Sequence, residues 1–96
     1  MKSYRLTPAA RGDLSSIWDF TKEHWDETQA EIYIKEMRAA IERVAANPQR
    51  GRACDEIRKG YRRYSIGSHV IFYIEGADSV AVIRVLHQRM DPTRHL

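Results

Sequence analysis

Ser79 to Asp91 reads Ser-Val-Ala-Val-Ile-Arg-Val-Leu-His-Gln-Arg-Met-Asp. Its first part is a β-prone apolar run. Val80, Val82 and Leu86 alternate with Ala81, Ile83 and Val85, so both faces of the strand are apolar. A strand apolar on both faces belongs inside a sheet with material on each side. Then the chemistry changes: His87, Gln88, Arg89, Met90 and Asp91 form a polar tip before Pro92. That tip is either a site delivered by a strand end or a solvated tail.

Two more strands precede this one. Tyr61–Ile66 and His69–Glu75 flank Gly67-Ser68, a two-residue turn whose first position needs positive φ. Gly76-Ala77-Asp78 then leads into the last strand, giving an antiparallel meander. A three-residue turn there places Ile71 opposite Ile83. One face then holds Val70, Phe72, Ile74, Val80, Val82 and Leu86. The other holds Arg62, Tyr64, His69, Ile71, Tyr73, Ile83, Val85 and His87. The first is the more apolar and is expected to receive the helices, leaving the second uncovered and available to a partner. A bulge would scramble this assignment.

Upstream, Lys2–Leu6 reads as a short strand, expected beside the last one. Thr7-Pro8 opens a helix, with Thr as cap and Pro at the first helical position. Ala10, Leu14, Ile17, Trp18, Thr21 and Trp25 recur at helical spacing. Asp26 and Gln29 restart the chain as a loose capping box. A second helix runs to about Ala46, with Ala30, Tyr33, Ile34, Met37, Ile41 and Val44 as its stripe. Asn47-Pro48 ends it. The short break predicts a helical hairpin. Asn47–Gly60 is read as an irregular basic connector carrying Arg50, Arg52, Arg58 and Lys59, with Ile57 as its anchor. The expected fold is α+β, in the order β-α-α-β-β-β, with the hairpin on one face of a mostly antiparallel sheet.

The 96 residues make one expected domain, 1–96, with 43% apolar and 30% charged residues. No apolar run is long enough for a bilayer, and the first residues lack a signal-peptide core. The single cysteine, Cys54, has no internal disulfide partner, which suits a cytoplasmic protein. Residues 1–48 hold seven Lys/Arg and eight Asp/Glu, a net of −1, and residues 49–96 hold nine and five, a net of +4. The basic half suits an acidic partner.

His24, His69, His87 and His95 lack metal-ligand spacing, and there is no phosphate-binding glycine loop, so no cofactor is expected. One constellation fits metal-free RNA cleavage: His69 and His87 to exchange protons, with Arg62 and Arg89 to hold phosphate. The same residues also read as a turn histidine, a strand-end hydrogen bonder and charges that guard a sheet edge.

Arg-Arg-Tyr-Ser-Ile-Gly-Ser-His-Val-Ile-Phe-Tyr at 62–73 and Val-Ile-Arg-Val-Leu-His-Gln-Arg-Met-Asp at 82–91 resemble the ParE branch of the RelE/ParE toxin superfamily. Tyr-Arg-Leu-Thr-Pro-Ala-Ala at 4–10, Asn-Pro-x-x-Gly at 47–51 and the element order extend the resemblance over nearly the whole chain. It implies a non-enzymatic toxin of a type II toxin–antitoxin module, inhibiting DNA gyrase by contact. It also implies a hetero-oligomer with a ParD-type antitoxin, through which alone nucleic acid is engaged. The alternative is a ribosome-dependent mRNA endonuclease of the RelE type. His87 is followed by Gln88, with no second acid/base group beside it, which favours the gyrase branch. On this reading Arg84, His87, Gln88, Arg89, Met90 and Asp91 are the expected target contacts, together with the tail after Asp91. Arg62, Arg63, Tyr64, Ile71, Tyr73, Ile83 and Val85 are the expected antitoxin contacts.

Overall fold

The computed structural model describes residues 3–96. The order is β1 (Ser3–Leu6), α1 (Pro8–His24), α2 (Glu27–Ala46), β2 (Arg52–Ala53), β3 (Tyr61–Ile66), β4 (His69–Glu75) and β5 (Ser79–His87). Short 3-10 turns at Pro48–Arg50 and Pro92–Arg94 complete it. The sheet order is β1-β5-β4-β3-β2, so β5 is interior and β1 lies beside it, running parallel. Lys2, assigned to the first strand from sequence, lies outside the described residues. β2 was not expected; its two residues pair with Arg62 and Arg63 of β3.

The helix starts follow the capping chemistry. The Ala10 N–H donates to the Thr7 hydroxyl (3.1 Å), and the Gln29 N–H to the Asp26 carboxylate (2.7 Å). Thr7 also ties β1 to β5, its N–H donating to the Val82 carbonyl and its hydroxyl to that of Ile83 (2.7 Å). The Gly67 turn has the expected positive φ (+56°) and sets Ile66 opposite His69. A Cβ at Gly67 would also press on the Tyr33 phenol.

The face assignment is corrected. Phe72 pairs with Arg84 but Tyr73 pairs with Val82, leaving Ile83 as a bulge within β5. A bulge changes which way the following residues point. Val80 and Val82 therefore share a face with Val85. The helices sit on this face: Ala10, Ile17, Met37, Ala40, Ile41 and Val44 pack against Ile71, Tyr73, Val80, Val82 and Val85. Ile71, Tyr73 and Val85, expected as open antitoxin contacts, are thus core residues, and Tyr64 packs at the edge of the same cluster. Half-buried Ile83 spends its carbonyl on Thr7. The expected hairpin-bearing face, Val70, Phe72 and Leu86, is instead closed by Cys54, Ile57, Tyr61 and the C-terminal Leu96.

The polar atoms that made the helix-covered face look open are satisfied from within. The Tyr73 hydroxyl donates to the Pro48 carbonyl (2.6 Å) and accepts from the Gly51 N–H (2.9 Å). A Cβ at Gly51 would overlap the Tyr73 ring. Arg62 donates to the Gly51 carbonyl (2.7 Å) and the Gln49 amide oxygen (3.0 Å). The 47–51 segment is therefore fastened to the sheet, and Arg62 is a fastener. Burial of a tyrosine ring is compatible with its hydroxyl when that hydroxyl finds partners, as here.

Candidate functional site

At the end of β5 the chain folds into a compact tip. The Gln88 N–H donates to the Ser68 carbonyl (2.8 Å), the Arg89 N–H to His87 Nδ1 (3.1 Å) and the Met90 N–H to the His87 carbonyl (2.9 Å). These bonds pin residues 87–90 against the Gly67-Ser68 turn while the Gln88, Arg89 and Met90 side chains stay exposed. Asp91 caps the Pro92–Arg94 turn, accepting from the Thr93 N–H (3.0 Å) and hydroxyl (2.7 Å). Those bonds, the hydroxyl's first, hold its carboxyl below the ordinary range.

Arg84 is not a tip residue. Its Nε and Nη2 make a two-point ion pair with Asp13 of α1 (2.8 and 2.7 Å), and its Nη1 donates to the His95 carbonyl (3.1 Å). Asp13 also accepts from the Val85 N–H (2.9 Å). The pairing with Asp13 raises the guanidinium above its ordinary pKa. This strut joins α1, β5 and the tail. The tail in turn lays Leu96 on the second core cluster, so it is part of the packed structure.

Beside the tip, α1, the start of α2 and the end of the sheet enclose a cleft of about 790 Å³. Ile17, Phe20, Trp25, Tyr33, Val85 and Met90 supply most of its apolar lining. Phe20 is 60% exposed and Trp25, the last residue of the helical stripe, 74%. Exposed aromatics beside a hydrophobic cleft mark a binding surface. Met90 belongs to both tip and cleft, making the two contiguous.

The cleft floor holds three polar rings. The Tyr33 hydroxyl lies 2.6 Å from His69 Nδ1 and also accepts from the Ser68 N–H (3.1 Å). The His69 and His87 rings meet edge to face at 5.3 Å. Burial, then His87, lowers the His69 pKa, favouring neutral imidazole; burial raises Tyr33. The two histidines of the proposed acid/base constellation are therefore together. Arg62 is not with them; it is engaged at the far end of the β3–β4 hairpin. His87 Nδ1 is committed as an acceptor within the tip. Arg63 lies over the Phe72 ring (5.5 Å), on the face away from the helices.

Asp13, Phe20 and the hub role of Tyr33 were missed from sequence. Asp13 had a legible signal. It falls between Ala10 and Ile17 on the stripe that faces the sheet, where a carboxylate demands a partner.

A family model described as "ParE toxin of type II toxin-antitoxin system, parDE" matches residues 4–92. The chain is 55% identical to Toxin ParE1 of Mycobacterium tuberculosis (strain ATCC 25618 / H37Rv) over 94 residues, covering 97% of this chain and 96% of that one. It is 45% identical to Toxin ParE1 of Caulobacter vibrioides (strain ATCC 19089 / CIP 103742 / CB 15), covering 100% and 99%. Among solved structures, a chain of a chromosomal ParDE TA system from P. aeruginosa superposes with a TM-score of 0.79 at 15% identity, covering 91% of this chain and 96% of that one, which speaks to the fold. On the family match and these identities, the chain belongs to the ParE toxin family of type II toxin–antitoxin systems.

Proposed function

We propose that this protein is a cytoplasmic toxin that inhibits DNA gyrase by protein–protein contact, without catalysis, and that a ParD-type antitoxin neutralises it. The observation that carries the reading is the tip, whose backbone is fixed while Gln88, Arg89 and Met90 are free. Arginine on a rigid support suits a planar or anionic protein surface, and methionine adapts to an apolar one. His87 holds the tip's shape through its Nδ1. Asp91 caps the turn behind it.

The antitoxin surface moves with the corrected faces. An amphipathic antitoxin segment fits the cleft, with Phe20, Trp25 and Met90 as contacts. Because Met90 is shared, a segment seated there also crowds the tip, which accounts for neutralisation without a change in the toxin's fold.

The test is induction of wild type, Arg89→Ala and His87→Gln, read by growth, DNA-damage signal and mRNA integrity, with antitoxin pull-down as the folding control. Arg89→Ala is expected to relieve growth arrest and still bind antitoxin. DNA damage without mRNA cleavage supports gyrase as the target. Rapid mRNA cleavage at ribosomes, abolished by His87→Gln, would instead make the adjoining His69 and His87 the acid/base pair of an endonuclease.

A further inference from the structure

β1 is an edge strand, and its pairing fixes which backbone groups it leaves open. The Thr7 N–H donates to the Val82 carbonyl of β5. Alternation along a strand then turns the N–H and C=O of Arg5 toward β5 and those of Tyr4 and Leu6 toward the outer edge. No described strand lies beyond β1. Four ladder groups are therefore presented in a row, two donors and two acceptors.

The surface beside that edge is shaped and charged. Tyr4 and Leu6, with Leu14, Ile34, Ile41 and Arg38, line a notch of about 250 Å³ between β1 and the two helices. This is small for a drug-sized ligand, whose sites run from roughly 300 to 1,000 Å³, but roomy for an aliphatic side chain. Arg38 is exposed at this notch, and Arg5 is exposed on the opposite face of the strand. Neither makes an ion pair with a described residue.

We propose that the β1 edge is a second docking site, which takes an extended acidic segment of a partner protein by strand addition. The segment carries an aliphatic residue into the notch, with carboxylates placed for Arg38 on that face and Arg5 on the other. Backbone bonds to Tyr4 and Leu6 supply the common affinity, and the alternating side chains supply selectivity. A second copy of this chain is a poor occupant, because β1 against β1 would bring two Arg5 residues together. The site borders the first residues of β5, at the opposite end from the tip, so it does not depend on the gyrase reading.

The experiment uses the full chain, labelled for NMR, and an eight-residue synthetic peptide alternating leucine with glutamate. The expected result is shifted and exchange-protected Tyr4 and Leu6 amides, with the cleft residues unmoved. Arg5→Glu and Arg38→Glu are each expected to weaken binding at least about two- to fivefold, the worth of a cross-strand charge pair. A peptide with lysine for glutamate is expected not to bind. Equal binding of both peptides, shifts confined to the cleft, or unchanged Tyr4 and Leu6 exchange at millimolar peptide would each overturn the proposal. So would a sedimenting dimer whose Tyr4 and Leu6 amides are already protected without peptide.

Discussion

Replacing Asp13 with alanine removes one half of the strut between α1 and β5. Three hydrogen bonds are lost: two from Arg84 and one from the Val85 N–H. The side chains are only 23% (Arg84) and 13% (Asp13) exposed. Breaking a fully buried pair by removing one partner costs roughly 3–5 kcal/mol, because the other charge stays behind. Arg84 retains some water and the His95 carbonyl, so the expected loss is smaller, about 2–3 kcal/mol. For a domain of this size each kcal/mol shifts the melting temperature by roughly 4–8 °C, so a fall of about 10–20 °C is expected. Urea unfolding and thermal melts measure it. The double variant Asp13→Ala with Arg84→Met is expected to recover part of the loss, since no charge is left unpaired. A loss below about 1 kcal/mol for Asp13→Ala would place the pair among weak surface bridges and refute the strut.

Tyr73→Phe deletes a buried hydroxyl that serves Pro48 and Gly51. Orphaned buried groups cost about 1–3 kcal/mol each, so a loss of about 2–4 kcal/mol in urea unfolding is expected. His69 has a folded pKa below its ordinary 6.5, so the unfolded chain binds its proton more readily. Stability from this residue is therefore present above about pH 6.5 and declines as pH falls toward the folded value. Urea midpoints at pH 5.0 and 7.5 are expected to differ less for His69→Gln than for wild type. Deleting residues 92–96 removes Leu96 and the His95 carbonyl. That truncation is expected to lower the melting temperature, so lost toxicity in it would not by itself mark a target contact, whereas Arg89→Ala should melt like wild type.

The elements were legible because their signals are local. Thr7-Pro8 and Asp26 set helix starts through bonds three residues long, and Gly67 set the hairpin register. The side of the sheet taken by the helices was not legible, because it depends on Ile83. The bulge there follows from how β5 meets both β4 and the Thr7 hydroxyl, partners distant in sequence. Composition also misled. Tyr64, Tyr73, His69 and Arg62 gave their face a polar look, but their polar atoms bond to α2 and to the 48–51 segment. Hydrogen bonding of this kind is invisible to a hydrophobicity pattern. The partner of Arg84 was hidden for the same reason: from sequence it is a charge near a polar tip, and only the fold brings Asp13 to it.

The strut and the tip together bear on the proposal that this toxin acts by contact. Histidines that exchange protons with a substrate need free nitrogens and pKa values near neutrality. Here His69 Nδ1 meets the Tyr33 hydroxyl and its pKa is pushed down, while His87 Nδ1 receives the Arg89 N–H. In each ring it is Nδ1 that helps to hold the turn and the tip together. What they hold out is Gln88, Arg89 and Met90, and Arg84 fixes the strand beneath by tying it to α1 and the tail. A backbone fixed by interlocking bonds has little conformational entropy left to lose on binding, so the ordering cost is confined to the exposed side chains. On the proposed reading of a contact inhibitor, Arg89 is then the side chain whose loss is expected to relieve growth arrest most, and the histidines matter through the shape of the tip.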